Sequence, residues 1–174
     1  MPKILDSMRE QLLMTARKQI EENGYANTTI RSVAAECGIA VGTVYNYFAS
    51  KDMLIATFIS EDWRASMDAV LSYGQEDPET HLRRVYDALR GFAASYRTLF
   101  SDSEARKSYR AAASRWHGEL RSQLASLVLP VCGDGPDRDF LSEFIAESLL
   151  TWTMEGEPFE KIYQVIEKLI QNKR

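Results

Sequence analysis

Gly38 places the tightest constraint on this chain, because it stands between two short runs that each carry the apolar spacing of a helix. In Thr29-Ile30-Arg31-Ser32-Val33-Ala34-Ala35-Glu36-Cys37, the residues Ile30, Val33, Ala34 and Cys37 fall at i, i+3, i+4 and i+7, one face of a helix. Thr28 or Thr29 supplies the hydroxyl that caps it. Gly38 accepts the left-handed backbone that ends this helix at little steric cost, and Ile39 plugs the corner from inside. From Val41 a second short helix turns Val44 and Phe48 inward. Val41, Gly42, Thr43, Tyr45, Asn46 and Tyr47 are left for the rim and the outer face. The stretch from Thr28 to Lys51 therefore has the grammar of a helix-turn-helix, and an outer face of small, aromatic and amide side chains suits a DNA major groove.

The remainder reads as helical throughout. Leu5, Met8, Leu12, Ala16 and Ile20 form the stripe of a first helix, closed by Asn23-Gly24. Ser50 caps a long helix in which Ile55, Ile59, Trp63, Met67 and Val70 recur, until Tyr73-Gly74 and Pro78 interrupt it. The spacing predicts further helices over 79–98, 104–129, 138–155 and 158–172, with Gly133-Asp134-Gly135-Pro136 and Gly156-Glu157-Pro158 as the clearest breaks. No strand alternation, internal repeat or low-complexity segment stands out.

Gly24-Tyr25, Thr28-Thr29-Ile30, Val33-Ala34, Cys37-Gly38-Ile39, Gly42-Thr43-Val44-Tyr45, Tyr47-Phe48, Ser50-Lys51 and Leu54 stand in the order and spacing of the TetR family of bacterial repressors. The chain resembles that family from about Leu5 to Ile59, and beyond residue 60 only in size and helical character. A helix-turn-helix alone is a weak pattern; the Tyr45-x-x-Phe48-x-x-Lys51 tail makes this one specific. The resemblance implies an all-α protein. A three-helix helix-turn-helix DNA-binding head, residues 1–50, would be joined by a long helix to a helical effector-binding and dimerisation body, residues 51–174. It implies a homodimeric, ligand-responsive repressor on a palindromic operator, with Tyr45 and Tyr47 reaching phosphates and Lys51 as the family's phosphate-binding lysine. One departure concerns the recognition helix, which the family usually opens with Ser and a polar or basic residue. Here Ala40 and Val41 stand instead. The missing cap costs about 1 kcal/mol, while Val41 offers an apolar contact to a thymine methyl.

The expected DNA-facing set is Thr29, Arg31, Val41, Gly42, Thr43, Tyr45, Asn46, Tyr47 and Lys51. Asn46 is suited to a bidentate contact with adenine, and Thr43 to a methyl against thymine or a hydroxyl on phosphate. Arg31 is placed for either the DNA backbone or a base edge. Charge gives this head little general attraction for DNA. The whole chain is formally −4, and residues 1–60 carry six basic residues (Lys3, Arg9, Arg17, Lys18, Arg31, Lys51) against six acids (Asp6, Glu10, Glu21, Glu22, Glu36, Asp52). Phosphate binding must depend on where a few cations sit, with hydroxyls and helix N-termini assisting, which implies a modest salt dependence per head and reliance on a dimer.

Two features of the body bear on function. Phe140, Phe144, Leu149 and Trp152, followed by Phe159, Ile162, Ile166, Leu169 and Ile170, make more apolar surface than a terminal hairpin needs, so a self-pairing four-helix interface is expected there. Trp63, Met67, Tyr86, Phe92, Tyr96, Phe100, Tyr109 and Trp116 are core aromatics and methionine by spacing alone; the resemblance implies an effector cavity among them, fit for a hydrophobic or amphipathic small molecule. Asp62, Asp68 and Asp87 read as solvated helix-face charges.

Other classes are poorly supported. A small helical enzyme using His81 or His117 lacks a nucleophile or carboxylate at motif spacing, and nothing suggests a metal site or a cofactor. A protein–protein adaptor with a degenerate DNA head is the other alternative, and it would account for the neutral charge. Cys37 and Cys132 are too few for a disulfide framework, Cys37 being expected in the packed head and Cys132 in a loop. No run approaches the ~20 apolar residues of a membrane span, and MPKILDSMRE carries charges where a signal peptide needs an apolar stretch, so a cytoplasmic location away from membranes is expected.

Overall fold

Thr29, and not Thr28, starts the second helix. Its hydroxyl oxygen accepts the Ser32 N–H at 3.0 Å while the Ser32 hydroxyl oxygen accepts the Thr29 N–H at 3.0 Å, a reciprocal capping box. Thr28 is buried and donates its hydroxyl back to the Gly24 carbonyl at 3.0 Å. The computed structural model describes the backbone of residues 2–73 and 76–171, and their side chains apart from those of 2–6, 100 and 106–117. Among the described residues every regular element is helical: α1 (Pro2–Asn27), α2 (Ile30–Glu36), α3 (Val41–Tyr47), α4 (Lys51–Leu71), α5 (Pro78–Ser95), α6 (Arg97–Ser101), α7 (Ser103–Val128), a short 3₁₀ turn (Leu129–Val131), α8 (Arg138–Met154) and α9 (Phe159–Gln171). No described helix is long and apolar enough to cross a membrane.

The breaks have local causes. Within α1, Gly24 leaves helical geometry at φ 78° and ψ 170°, where the sequence places a stop. After α2, the N–H of Gly38 bonds the Ala35 carbonyl at 3.2 Å and that of Ile39 bonds the Ala34 carbonyl at 3.0 Å, so Gly38 at φ 68° closes a Schellman turn. A Cβ added at Gly38 meets nothing within 4 Å. The cost of Gly38→Ala is therefore conformational, about 1–2 kcal/mol for a left-handed residue. Urea unfolding should show that loss as a lower midpoint at unchanged slope.

Between residues 79 and 98 the sequence predicts one helix, and the structure has two. Tyr96 leaves the helical region at φ −108° and ψ 10°. Its ring is drawn into the core, stacked on Phe58 with ring centres 6.2 Å apart, and its hydroxyl donates to Asp62. Asp102 then starts α7 by accepting the N–H groups of Glu104 and Ala105 at 2.8 and 2.9 Å.

The chain divides into two compact units. The first consists of Met1–Asp62 and Tyr96–Ala112, the second of Trp63–Ser95 and Ala113–Arg174. In the first unit α1 packs on α2 and on α6, and α2 packs on α3. Its buried side chains include Leu12, Ala16, Val33, Val44, Ile55 and Phe58. In the second, α5 lies against α8 and α9 around Leu82, Leu89, Leu124, Ile145 and Leu149. Cys132 follows the 3₁₀ turn in the loop where it is expected, and its side chain is buried in that core, 3% exposed. Partly buried Cys37 belongs to the first unit, its thiol 3.3 Å from the Thr15 hydroxyl.

Candidate nucleic-acid interface

Seven residues make α3, and their burial follows the helical period. Val44 and Phe48, which follows the helix, are buried. Val41, Gly42, Tyr45 and Asn46 are exposed, with Thr43 and Tyr47 half-buried between the two faces. Ala40 provides no side-chain cap, so the helix starts only with the Thr43 N–H on the Ala40 carbonyl at 2.9 Å.

An open concavity of about 500 Å³ lies beside α3, lined by Thr28, Thr29, Ile30, Arg31, Val41, Tyr45, Ala49, Ser50 and Lys51. It gathers five of the expected DNA-facing residues, Thr29, Arg31, Val41, Tyr45 and Lys51, from three separate helix starts. Gly42, Thr43, Asn46 and Tyr47 are outside its lining, on the remainder of α3. The Thr29 oxygen is occupied as a cap acceptor, yet a hydroxyl retains its proton to donate. Ser50 contributes by capping α4, its hydroxyl oxygen accepting the Met53 N–H at 3.1 Å.

The electrostatics are sparse because three of the five described head cations are already paired. Arg9 meets Glu61 at 2.7 Å, Arg17 meets Asp62 at 2.6 Å and Lys18 meets Glu36 at 2.9 Å. These half-exposed pairs contribute little stability, but each removes a positive charge from the surface field. Arg31 is exposed and forms no ion pair among the described residues. Lys51 takes an intermediate course: its ammonium donates to the Tyr25 carbonyl at 2.9 Å and sits 3.6 Å from the centre of the Tyr25 ring. Partial burial lowers its pKa, against the carboxylates of Asp52, Glu104 and Asp102, which raise it. The Tyr25 hydroxyl in turn donates to Asp52.

Sequence reasoning missed the residues that hold this surface in place. Gln19, buried on α1, donates to the Ser32 carbonyl at 3.2 Å and to Glu36 at 2.6 Å, and accepts the Ser32 hydroxyl at 2.6 Å. It thereby docks the start of α2 on α1. A glutamine in an apolar stripe carries no motif, so its only sequence signal is a polar residue at a buried helical position.

Asp62 also departs from expectation. It reads as a solvated charge, whereas it accepts from Arg17 on α1 and from Tyr96. Burial, and then the Asp62 carboxylate, raise the Tyr96 pKa far above its usual value. The folded hydroxyl keeps its proton where the unfolded one loses it, so above about pH 10 folding binds more protons than unfolding and stability falls as pH rises. Tyr96→Phe should flatten this alkaline limb of the stability curve, measured by denaturant unfolding from pH 8 to 11.

The expected effector residues do not come together as one group. Trp63, Met67, Tyr86 and Phe92 belong to the second unit and pack in its core, with the Trp63 and Phe92 rings edge-on at 5.2 Å. The Trp63 indole N–H donates to Gln123 at 2.7 Å, and the Tyr86 hydroxyl donates to the Glu157 carbonyl at 2.9 Å. Tyr96 belongs to the first unit. Phe100, Tyr109 and Trp116 lie outside the described side chains, as does His117. His81 places its Nε2 2.7 Å from the Leu127 carbonyl, at the end of α7.

The expected pairing residues split by face. Leu149, Phe159, Ile162 and Ile166 are buried in the second unit's own core. Phe140, Phe144 and Trp152 point outward, 72, 49 and 46% exposed, and Val165 joins them. Between α8 and α9 runs an apolar groove of about 300 Å³, lined by Phe144, Trp152, Val165, Leu169 and the outer edges of Ile162 and Ile166, with Ser148, Glu157 and Lys161.

The profile of the family described as bacterial regulatory proteins, tetR family, matches residues 12–57. Among curated proteins, the HTH-type transcriptional regulator BetI of Stenotrophomonas maltophilia is 33% identical over 82 residues, which is 45% of this chain and 42% of that protein. The match thus spans less than half the length of that relative. Two solved structures share the fold over nearly the whole chain. One is Thermus thermophilus FadR, a TetR-family transcriptional repressor in complex with lauroyl-CoA, with a TM-score of 0.59 and 20% identity, covering 94% of this chain and 93% of that one. The other is BioQ with its natural double-stranded DNA operator, with a TM-score of 0.56 and 18% identity, covering 94% and 96%.

Proposed function

We propose, from the premise that its residues 12–57 make this chain a member of the TetR family of bacterial regulatory proteins, that it is a homodimeric, ligand-responsive transcriptional regulator of the repressor type and not an enzyme. The single observation that supports DNA binding best is the convergence of Arg31, Val41, Tyr45 and Lys51 on one open concavity beside the exposed face of α3. In this reading residues 1–50 are the DNA-binding head and 51–174 the effector-binding and dimerisation body. Asn46, Thr43 and Val41 meet bases across Gly42, where no side chain keeps the backbone away. Thr29, Tyr45, Tyr47 and Lys51 position the helix on phosphates. Lys51 must exchange its Tyr25 carbonyl for a phosphate oxygen, or reach one while still seated on the ring.

Two heads spaced one turn apart on DNA require a dimer and a palindromic operator. The outward side chains of α8 and α9 supply a self-complementary apolar face for that dimer. The effector is a hydrophobic or amphipathic small molecule that reaches Trp63, Met67, Tyr86 and Phe92 by displacing their present packing. Repression is steric: the dimer covers a promoter in the cytoplasm, and the effector releases it by binding the off-DNA state more tightly than the DNA-bound one.

A gel shift with DNA flanking the protein's own gene tests this. Binding that resists non-specific competitor is expected, and Asn46→Ala should lose about 1–3 kcal/mol of discrimination at one base pair of each half-site. A purified dimer that shifts no DNA specifically would instead favour the adaptor.

A further inference from the structure

We infer that the half-site read by this protein has a core made only of A·T pairs, bordered at one end by a single G·C pair read by Arg31. The inference rests on the reading that α3 enters the major groove, and it concerns which base pairs that helix selects.

Seven residues at a rise of about 1.5 Å give α3 a reading length of roughly 10 Å, or about three base-pair steps. Guanine is usually recognised in the major groove by a bidentate Arg or Lys, and cytosine by an accepting Asp or Glu. The sequence of α3, Val41-Gly42-Thr43-Val44-Tyr45-Asn46-Tyr47, contains none of these. Its exposed members carry the complementary half of the code: an amide at Asn46 matched to adenine N6 and N7, and an apolar side chain at Val41 matched to the thymine methyl. By the helical period these two lie about 140° apart, on opposite margins of the exposed face, so they address different base pairs of the same core.

Half-buried Thr43 adds a methyl that suits thymine, and among the described head cations Arg31 is the base reader that stands apart from α3. It lines the same concavity as Val41 and Tyr45, which Asn46 does not, so Arg31 lies on the side of α3 that carries Val41 and Tyr45. Arg9, Arg17 and Lys18 are committed to carboxylates and Lys51 to Tyr25, while Arg31 has no ion-pair partner among the described residues to give up on meeting a base. The G·C pair should therefore border the thymine contacted by Val41.

Enrichment from random-sequence DNA with the purified full chain, followed by single thymine-to-uracil replacement in the enriched sequence, tests the assignment, since uracil lacks only the methyl group. The expected half-site has an A·T core of about three pairs with one flanking G·C. Uracil at one core position should weaken binding by about fourfold, the worth of one buried methyl. In Val41→Ala that same replacement should make little difference, and Arg31→Ala should relax the flanking G·C position alone. Both side chains are exposed, so neither variant disturbs the fold. A G·C pair inside the core that survives Arg31→Ala, or indifference to uracil at every position, would overturn the inference while leaving specific DNA binding intact. Failure to enrich any sequence would overturn the DNA-binding reading, and the inference with it.

Discussion

Trp152→Asp is expected to yield a folded monomer whose operator affinity is lower by about 100-fold or more. Trp152 is half-exposed on α8, so its replacement opens no cavity in the second unit. Phe144 and Val165 line the groove between α8 and α9 with it, and Phe140 is exposed further back along α8. The inward faces of both helices are already occupied: Leu141, Ile145 and Leu149 of α8, and Phe159, Ile162 and Ile166 of α9, fill the unit's own core. What remains outside can be covered by a second copy, and an unpaired carboxylate buried in that contact costs several kcal/mol. The loss of DNA binding follows from geometry, because two linked heads gain some 10²–10⁴ in avidity over one. Sedimentation equilibrium and a gel shift on the same sample read both effects, with circular dichroism as the check on folding. A dimer that persists with undiminished binding would move the interface away from these helices.

The sparse charge of the head bears on the same result. A head that attracted DNA through a broad positive field would bind measurably as a monomer. Here three described cations are neutralised by neighbouring carboxylates and a fourth is seated on Tyr25. On the proposed reading a single head is left with Arg31, several hydroxyls and base contacts, so pairing is expected to weigh heavily on affinity.

Much of this arrangement is legible in the sequence where local chemistry decides the outcome. The Gly38 turn, the stop at Gly24, the Ser50 cap and the inward Val44 and Phe48 follow from spacing and backbone preference, and each is present. Residues whose role depends on a distant partner are not legible in this way. Asp62 looks like any helix-face acid until Arg17 and Tyr96 close on it, and the predicted 79–98 helix breaks at the same Tyr96. The outward face of α8 illustrates another limit. With apolar residues on two sides, its periodicity cannot say which side meets the protein's own core, and Leu149 and Trp152 are separable only once the neighbouring helices are in place. Apolar side chains such as Trp63 and Tyr86 pose the same problem inside the second unit, because a core and an effector site would use one residue vocabulary.

An experiment at Trp63 resolves that last ambiguity. Trp63→Ala should destabilise the protein by about 3–5 kcal/mol, the cost of deleting a buried indole. Trp63 is 2% exposed and touches Phe92 edge-on, and its N–H is satisfied by Gln123. The cavity left by truncation has apolar walls and one amide acceptor, which are the features a small aromatic ligand recognises. Added indole should refill it, restoring the ring contacts and the hydrogen bond to Gln123, and it stabilises by about 2.7 kcal/mol when present at a hundred times its Kd. Stability alone does not separate core from effector site; operator affinity does. If an effector acts on these side chains, filling the cavity changes the balance between DNA-bound and released states, so indole should shift operator affinity of Trp63→Ala while leaving the wild type unaffected. Recovery of the thermal midpoint with unchanged operator affinity would make Trp63 a core residue only and place the effector elsewhere.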